Sequence, residues 1–420
     1  MPHFNPLLNP PGYPADRYAP LADRLKRLLS TRSDVVFIQA EAILALEATA
    51  SSLARPDSTA INIVTSPYGT YFSAWLRAGG AHVHDVVAEP GRPIALAAVQ
   101  AAVDALPAVD LIAVVHAESA NGSLNPLAEI AALAKSRRAL LVVDAVASFG
   151  GHHLDVDGLG IDVAVVGPQK ALGGPSAVSI VAVSPRAWQA AAATRRSSPS
   201  SLALTDLKDT WLDRGRGALP GMPSPLEFWA LEAAIDRVES EGIDKLIARH
   251  QLAAEASRAG LRGLGVEPWI SEDRSASALV TSAPVPTGVD AEALVSAAAR
   301  LGVALGRGFG DISGQLVRLD HTGVRASFSA VLANDPRPPV RAPPSSHLIH
   351  CSRRDRRVAV ISRPDRSSAR AGSRLPFPHY KPLVPWLVSL LKEGAPSKPR
   401  RFLRLRRCAR VQPSSQGGVV

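Results

Sequence analysis

Short apolar runs alternate with amphipathic stretches between Val35 and about Pro185, and this alternation restricts the possible folds most. Most of the runs are apolar on both faces, as strands of a buried parallel sheet are. The predicted strands are Val35–Gln39, Ile61–Val64, Val83–Val87, Leu111–His116, Leu140–Asp144, Val163–Val166 and Ser179–Val183. The predicted helices between them are Ala42–Ser52, Tyr71–Ala78, Pro93–Asp104, Pro126–Ser136 and Pro185–Ala192. This pattern predicts an α/β fold with a mostly parallel, doubly wound sheet, whose ligands bind beyond the carboxyl ends of the strands.

The chain divides into five predicted segments. Residues 1–34 are expected to form an N-terminal arm, and residues 35–224 the large α/β domain, with a long irregular stretch at 193–224. Residues 225–264 predict one or two bridging helices. Residues 265–334, with short apolar runs and a helix at Asp290–Arg300, predict a smaller α+β domain.

Residues 335–420 differ from the rest of the chain in composition. They hold 19 of the 47 lysines and arginines, only 4 of the 37 aspartates and glutamates, 13 of the 35 prolines and both cysteines. They lack the periodicity of a folded core, so we interpret them as a disordered or out-of-frame tail that truncates the small domain. A basic arm for nucleic acid or an anionic membrane is the less favoured interpretation.

Several function classes are excluded by motifs that the sequence lacks. No apolar run is long enough to span a bilayer and the N-terminus does not read as a secretory signal, so we expect a cytoplasmic protein without a membrane partner. No GxGxxG follows the first strand, and GxxxxGK[ST] and GxSxG do not occur. The pairs His152–His153 and His82/His84 lack accompanying ligands at metal spacing, so no metal site is expected.

Two charged residues follow predicted strands and are candidates for chemistry. Lys170, in VVGPQKALGGP, lies in a turn at the expected crevice, where a neutral amine could attack a carbonyl. Asp144 ends the strand LLVVD, and a buried carboxylate there needs a cation or hydrogen bonds. A protonated pyridine nitrogen is such a cation. An ordinary loop lysine and a turn aspartate are the alternatives.

Four further residues are weaker candidates. Ser119 in HAESANGSLNPL and Tyr68 in TSPYGTYF follow strands, where a hydroxyl can bond a cofactor oxygen and a ring can stack. Arg318 in LVRLDHTG and Arg307 in LGRGFGD could each bind a substrate carboxylate through the guanidinium fork. Turn or core positions and internal salt bridges are the alternatives.

Taken together, these segments resemble class-V aminotransferases of pyridoxal-phosphate fold type I. The resemblance runs from about residue 34 to residue 334 and is strongest to the alanine–glyoxylate and pyridoxamine–pyruvate branches. Its motifs are an aromatic-glycine turn at Tyr68-Gly69, H-x-E-[ST]-x-x-G-x-L-x-P-L at 116–127, D-x-V-x-S-x-G-G at 144–151 and G-x-Q-K-x-L at 167–172. A cysteine desulfurase of the same fold is excluded, since residues 1–334 contain no cysteine.

The resemblance implies a role for each matching residue. Lys170 would carry the Schiff base and shuttle the proton, and Asp144 would keep the pyridine nitrogen protonated so that the ring acts as an electron sink. Tyr68 would stack on the ring, Val146 would pack on its other face, and Ser119 would bond its phenolic oxygen.

The remaining implied roles concern substrate and assembly. Gln169 would lie near the cofactor's 5′ substituent, and Arg318 would bind the substrate carboxylate, with Arg307 as a second candidate. The reaction would be a ping-pong transfer from an amino donor to a small 2-oxo acid, pyruvate or glyoxylate. The resemblance also implies a homodimer with the site at the subunit interface.

Two departures from the family pattern concern the cofactor phosphate. Many relatives have Gly-His where this chain reads QAEAILALEA, and Glu41 would repel a phosphate. Met222 stands where a partner subunit often supplies a threonine. A glutamate in this setting is a feature of the pyridoxamine–pyruvate branch, so free pyridoxamine as substrate is the alternative to bound pyridoxal phosphate. A catalytically impaired homologue is the third possibility.

Overall fold

The computed structural model describes residues 10–194, 199–300 and 302–327. The strands of the described part are β1 Asp34–Ile38, β2 Thr59–Val64, β3 His82–Val87, β4 Leu111–Val115, β5 Leu140–Asp144, β6 Val163–Val166, β7 Ser179–Val183, β8 Val280–Pro284, β9 Gly306–Arg307 and β10 Leu316–Asp320. The α-helices are α1 Tyr18–Leu28, α2 Ala42–Leu53, α3 Pro67–Ala78, α4 Leu96–Ala105, α5 Leu127–Ser136, α6 Val156–Leu159, α7 Pro185–Ala193, α8 Leu204–Thr210, α9 Pro225–Glu241, α10 Ile243–Gly263 and α11 Ala291–Ala299. The predictions for residues 335–420 lie outside these described residues.

A seven-stranded sheet in the order β1-β7-β6-β5-β4-β2-β3 forms the centre of the molecule. Only β7 runs antiparallel to its neighbours, β1 and β6. The predicted α/β fold with a mostly parallel sheet is therefore confirmed. Every residue of β4, β6 and β7 is buried, which explains why these strands are apolar on both faces.

Helix α3 begins earlier than the sequence pattern predicted. The Ser66 hydroxyl accepts a hydrogen bond from the Tyr68 backbone amide, and Pro67 occupies the first turn, so the two residues start the helix before Tyr71. Gly69 permits this start, because a Cβ atom there would lie 3.0 Å from the Cα of Val64. Tyr68 consequently lies in the first turn of a helix and not in a loop.

Residues 199–224, in the predicted irregular stretch, are more ordered than predicted. They contain α8, whose Leu204 and Leu207 are buried, and the fully buried Trp211 packs its ring 5.8 Å from that of Phe37. Many serines, glycines and prolines in this stretch obscured a short helix that only tertiary burial stabilises.

The predicted bridging segment forms two helices that separate at Gly242, which has a positive φ of 87°. Helix α1, within the predicted N-terminal arm, is tied to α9 by ion pairs from Arg24 to Asp236 at 2.6 Å and to Glu239 at 2.8 Å. A second sheet in the order β8-β10-β9 packs with α11.

Candidate active site

Strands β1, β2, β4, β5 and β6 run in one direction, so their carboxyl ends meet at one edge of the sheet. A cavity with about 400 Å³ of empty space, part of it open to solvent, lies at this edge. Its lining includes six of the residues predicted from the sequence, namely Glu41, Tyr68, Ser119, Asp144, Val146 and Lys170. Parallel strand direction is thus what brings residues from distant parts of the chain together.

Lys170 reaches the cavity from the turn after β6. Gly167 allows this turn to pass close to the site, because a Cβ atom there would lie 2.6 Å from Oε1 of Gln169 and 2.9 Å from Cγ1 of Val146. Among the described residues that line the cavity, Lys170 is the one lysine. Its amine is therefore the candidate nucleophile and proton carrier.

Asp144 lies at the end of β5, with 8% of its surface exposed. Burial raises the pKa of this carboxyl to about 6, against the opposing effects of a hydrogen bond from the Val146 amide (2.9 Å) and the charge of Lys170. The charge of Glu41 raises the pKa further. A cation placed beside Asp144 would relieve this cost and favour the charged form.

Tyr68 projects from the first turn of α3. Its ring stacks on Phe309 at 5.7 Å with an interplanar angle of 19°, and its hydroxyl is hydrogen-bonded to Ser119. Burial raises the pKa of Tyr68, so the hydroxyl stays protonated. Phe309 was not singled out from the sequence, since a phenylalanine in a glycine-rich loop gives no sign that it meets α3.

The two candidate arginines have different surroundings. Arg318 donates from Nη1 to the backbone carbonyl of Ser119, and its Nε is buried with no hydrogen-bond partner among the described residues. Arg307 is instead half-exposed and pairs with Glu292 of α11 at 3.2 Å. Arg318 also has an acidic neighbour, Asp320, at 3.8 Å from Nη2. We retain Arg318 as the candidate for a substrate carboxylate, because its contact with Ser119 places it next to a residue that lines the cavity.

Glu41 occupies the N-terminus of α2. Its Oε2 accepts a hydrogen bond from the Ile43 amide at 2.8 Å, and its Oε1 accepts one from Nε2 of Gln169 at 2.8 Å. Oε1 of Gln169 is buried without a described partner. The helix N-terminus, an ordinary place for a phosphate, is thus held by a carboxylate of the chain itself.

Glu118 is a cavity residue that the sequence reasoning did not single out. It is fully buried and accepts a hydrogen bond from Oγ1 of Thr65 at 2.5 Å. The signal was available, since Glu118 stands in the quoted H-x-E-[ST] motif directly before Ser119.

Two other kinds of site are absent from the described residues. In residues 10–194, 199–300 and 302–327, no cluster of three or more His, Cys, Asp or Glu side chains could hold a metal ion. Within the same ranges, none of the helices combines the length and the apolar character needed to cross a bilayer.

The family model of class-V aminotransferases matches residues 16–335. This chain belongs to the class-V aminotransferase family. Pyridoxamine–pyruvate transaminase of Mesorhizobium japonicum is 34% identical over 315 residues, covering 74% of this chain and 79% of that protein. Serine–glyoxylate aminotransferase of Arabidopsis thaliana is 32% identical over 219 residues, covering 51% of this chain and 54% of that protein.

The solved structures agree with this assignment. The pyridoxamine–pyruvate aminotransferase of Mesorhizobium loti superposes with a TM-score of 0.71 at 32% identity, covering 75% of this chain and 80% of that one. The fold is therefore that of the fold-type-I pyridoxal-phosphate enzymes, and the chain is an aminotransferase that uses this chemistry.

The residues present fit one part of pyridoxal phosphate better than the other. A pyridine ring fits, because Asp144 offers a buried carboxylate and Tyr68 and Val146 offer flat and branched apolar surfaces in the same cavity. The phosphate fits poorly, because Glu41 already binds the α2 amide and Gln169. The site thus fits the pyridine ring of the cofactor better than it fits the phosphate.

Proposed function

We propose that this aminotransferase moves an amino group from free pyridoxamine, as a substrate without phosphate, to a small 2-oxo acid such as pyruvate. The observation that carries the proposal is the hydrogen-bonded Glu41–Gln169 pair at the N-terminus of α2. A phosphate bound there would displace this pair or lie against a carboxylate of the same charge. The similarity to pyridoxamine–pyruvate transaminase along most of both chains supports the same assignment.

Arg318 is the proposed binding residue for the carboxylate of the 2-oxo acid. Its free Nε faces no internal acceptor, while its contact with the Ser119 carbonyl holds the guanidinium beside the cavity. An arginine fork binds a carboxylate through two parallel hydrogen bonds. The similarity to pyridoxamine–pyruvate transaminase makes a small acid such as pyruvate the proposed acceptor.

The other proposed roles follow from the positions of the side chains. When bound, the pyridine ring supplies an electron sink for the carbon that loses its proton. Asp144 keeps a proton on the ring nitrogen, since a buried carboxylate gains most from an adjacent cation. Nζ of Lys170 receives the proton from the donor carbon and returns it to the acceptor carbon. Tyr68 and Val146 hold the ring plane between them, and the Ser119 hydroxyl orients the phenolic oxygen.

The test combines a binding titration with a turnover assay. The purified protein is titrated by absorbance with pyridoxal and, separately, with pyridoxal phosphate, and Lys170→Ala is the matched control. We expect a new band with pyridoxal that the variant lacks, and pyruvate-dependent formation of pyridoxal and alanine from pyridoxamine. Tight loading with pyridoxal phosphate and no turnover of pyridoxamine would contradict the proposal.

A conventional aminotransferase with resident pyridoxal phosphate is the second candidate. It is favoured by the relatives named for transfer from amino acids to glyoxylate, of which the Arabidopsis enzyme is one. In the same assay it predicts a band with pyridoxal phosphate that an amino acid discharges. Loading without any turnover would identify an impaired homologue.

We also propose that the enzyme is a homodimer with the site near the interface. Met222 is 96% exposed and lies in the loop whose Pro220 carbonyl accepts a hydrogen bond from Nε2 of Gln39 at 2.8 Å. The family resemblance implies that this loop contacts the partner subunit, so Met222 is the residue we propose to lie in the interface. Light scattering on the Met222→Asp variant tests this, and the expected result is a monomer where the unaltered chain is a dimer.

A further inference from the structure

Glu118 is a buried carboxyl in the active-site cavity that the proposed reaction does not use. It follows β4, its exposure is 0%, and it lines the cavity together with Asp144 and Lys170. Its backbone is fixed by a hydrogen bond from its own amide to the carbonyl of Ser123 at 2.8 Å. A carboxyl group kept in this position at the expense of its hydration needs an explanation.

One oxygen of Glu118 is tied to the turn between β2 and α3. Oε1 accepts the hydroxyl hydrogen of Thr65 at 2.5 Å, and the Ser66 hydroxyl bonds the same carboxyl group. The Ser66 oxygen in turn accepts the backbone amide of Tyr68 at 3.2 Å. A chain of hydrogen bonds therefore runs from Glu118 through Ser66 to the residue that carries the stacking ring.

The next residue links the same segment to the proposed substrate arginine. The Ser119 hydroxyl is hydrogen-bonded to Tyr68, and the Ser119 carbonyl accepts from Arg318. A displacement of Glu118 would thus move the stacking ring and the guanidinium together. Glu118 can therefore affect the positions of both groups, although it has no proposed contact with the substrate.

The other oxygen of Glu118 is unsatisfied. Oε2 is buried and has no hydrogen-bond partner among the described residues. Asp144 is the charged group that acts on Glu118 from the neighbouring strand, and His116 on the same segment is neutral because burial lowers its pKa to about 3. Two carboxylates in one cavity repel each other, so one of them retains its proton.

The order of ionisation indicates which carboxyl that is. Burial raises the pKa of Glu118 to about 7, and the charge of Asp144 raises it further against the hydrogen bonds from Ser66 and Thr65. The pKa of Asp144 is about 6, since the Val146 amide and Lys170 oppose the effect of burial there. Asp144 therefore ionises first.

We propose that Glu118 is a positioning residue of the active site, which holds the turn bearing Tyr68. Glu118 also keeps its proton, so that Asp144 is the carboxyl group that is ionised. This inference rests on the aminotransferase reaction at this cavity, but not on the identity of the amino donor. The stability test of this inference uses protein without ligand. The inference about Glu118 can therefore fail while the proposed function stands, and the proposed function can fail while the inference stands.

The first experiment measures urea unfolding of the full chain between pH 5 and 8, with and without Glu118→Gln. The unfolded chain has the ordinary carboxyl pKa, so between about pH 4.5 and 7 the folded protein binds more protons at this residue. We expect the unfolding equilibrium constant of the unaltered protein to rise with pH by up to tenfold per unit relative to the variant. Parallel curves for the two proteins would overturn the assignment of the proton.

The second experiment tests the positioning role by kinetics and by the near-ultraviolet circular dichroism of bound pyridoxal. Glu118→Gln keeps an oxygen that accepts from Thr65, so its kcat/KM at pH 6 is expected within about threefold of the unaltered value. Glu118→Ala loses the hydrogen bonds and is expected to lower kcat/KM about tenfold or more and to change the dichroism.

A matched control separates positioning from general stability. Asp162 is also buried but lies at the opposite edge of the sheet, where it accepts hydrogen bonds from Leu141 and Ser184. Asp162→Asn is expected to lower stability while leaving kcat/KM and the dichroism of bound pyridoxal unchanged. If Glu118→Ala behaves in the same way, Glu118 has only a structural role and the proposal is wrong.

Discussion

Glu41→Gln is the substitution that most directly tests whether the charge of Glu41 makes this site prefer pyridoxal to pyridoxal phosphate. The change keeps the size of the side chain and removes one negative charge at the N-terminus of α2. Glu41 is exposed, so solvent screens its charge and the low-dielectric limit does not apply. The effect on a bound phosphate is therefore moderate and can be worked out from distance.

The magnitude follows from the hydrogen bond between Glu41 and the Ile43 amide at 2.8 Å. A phosphate oxygen that used the same amide would lie within about 5 Å of the carboxylate, where each pair of unit charges repels by about 1–3 kcal/mol. With screening we take about 1.4 kcal/mol, which is tenfold in affinity. The weaker helix cap formed by glutamine costs about 0.5–1 kcal/mol of stability, and this cost affects both ligands equally.

The assay is an absorbance titration that gives dissociation constants for pyridoxal phosphate and pyridoxal with each protein. We expect the ratio of the two constants to shift about tenfold toward pyridoxal phosphate in Glu41→Gln. Glu47→Gln, which removes one charge from the same helix outside the cavity lining, is expected to leave the ratio unchanged. An unchanged ratio in Glu41→Gln would refute the electrostatic argument.

Four other outcomes are expected. Lys170→Ala abolishes turnover and the pyridoxal band without lowering the melting temperature. Asp144→Asn lowers kcat at least a hundredfold, since an amide cannot stabilise a protonated ring nitrogen, and a rapid-mixing assay measures this. Arg318→Lys raises KM for pyruvate about tenfold and leaves the KM for pyridoxamine near its original value, because one ammonium replaces a two-point contact. Burial lowers the pKa of His250 to about 4, so the folded protein loses stability as the pH falls from 6.5 toward 4, and His250→Gln makes the denaturation curves less dependent on pH over that range.

Most of the sheet could be predicted from the sequence because all its strands except the edge strand β3 are buried on both faces. Such strands appear as unbroken apolar runs, and each predicted run in residues 35–185 corresponds to a strand. Helix α8 was missed because Leu204 and Leu207 are its main apolar residues, and two leucines among polar residues give no distinct periodicity. The sequence of α8 does not show which surface of the folded protein buries these two leucines.

The grouping of the site residues could be predicted only in part. Lys170, Asp144 and Ser119 follow strands of one direction, so their proximity follows from topology alone. The choice between Arg318 and Arg307 could not be made, because both lie on short strands and only the folded structure places Arg318 against Ser119 and Arg307 against Glu292 of α11. Glu118 was overlooked for a related reason: a glutamate after a strand is ordinarily solvated, and only folding of the 117–124 segment back on itself buries it.

The charges around the cavity provide a further reason for a ligand without phosphate. With Glu118 protonated, the charged side chains in the described part of the cavity lining are the carboxylates of Glu41 and Asp144 and the one cation of Lys170, while Arg318 beside it has Asp320 as its own acidic neighbour. A protonated pyridine ring and the carboxylate of a 2-oxo acid add one charge of each sign and leave the net charge unchanged. A phosphate would add about two further negative charges, with no additional basic side chain among the described residues that line the cavity. Binding the phosphorylated form would thus require a cation from elsewhere, whereas the free vitamer requires none.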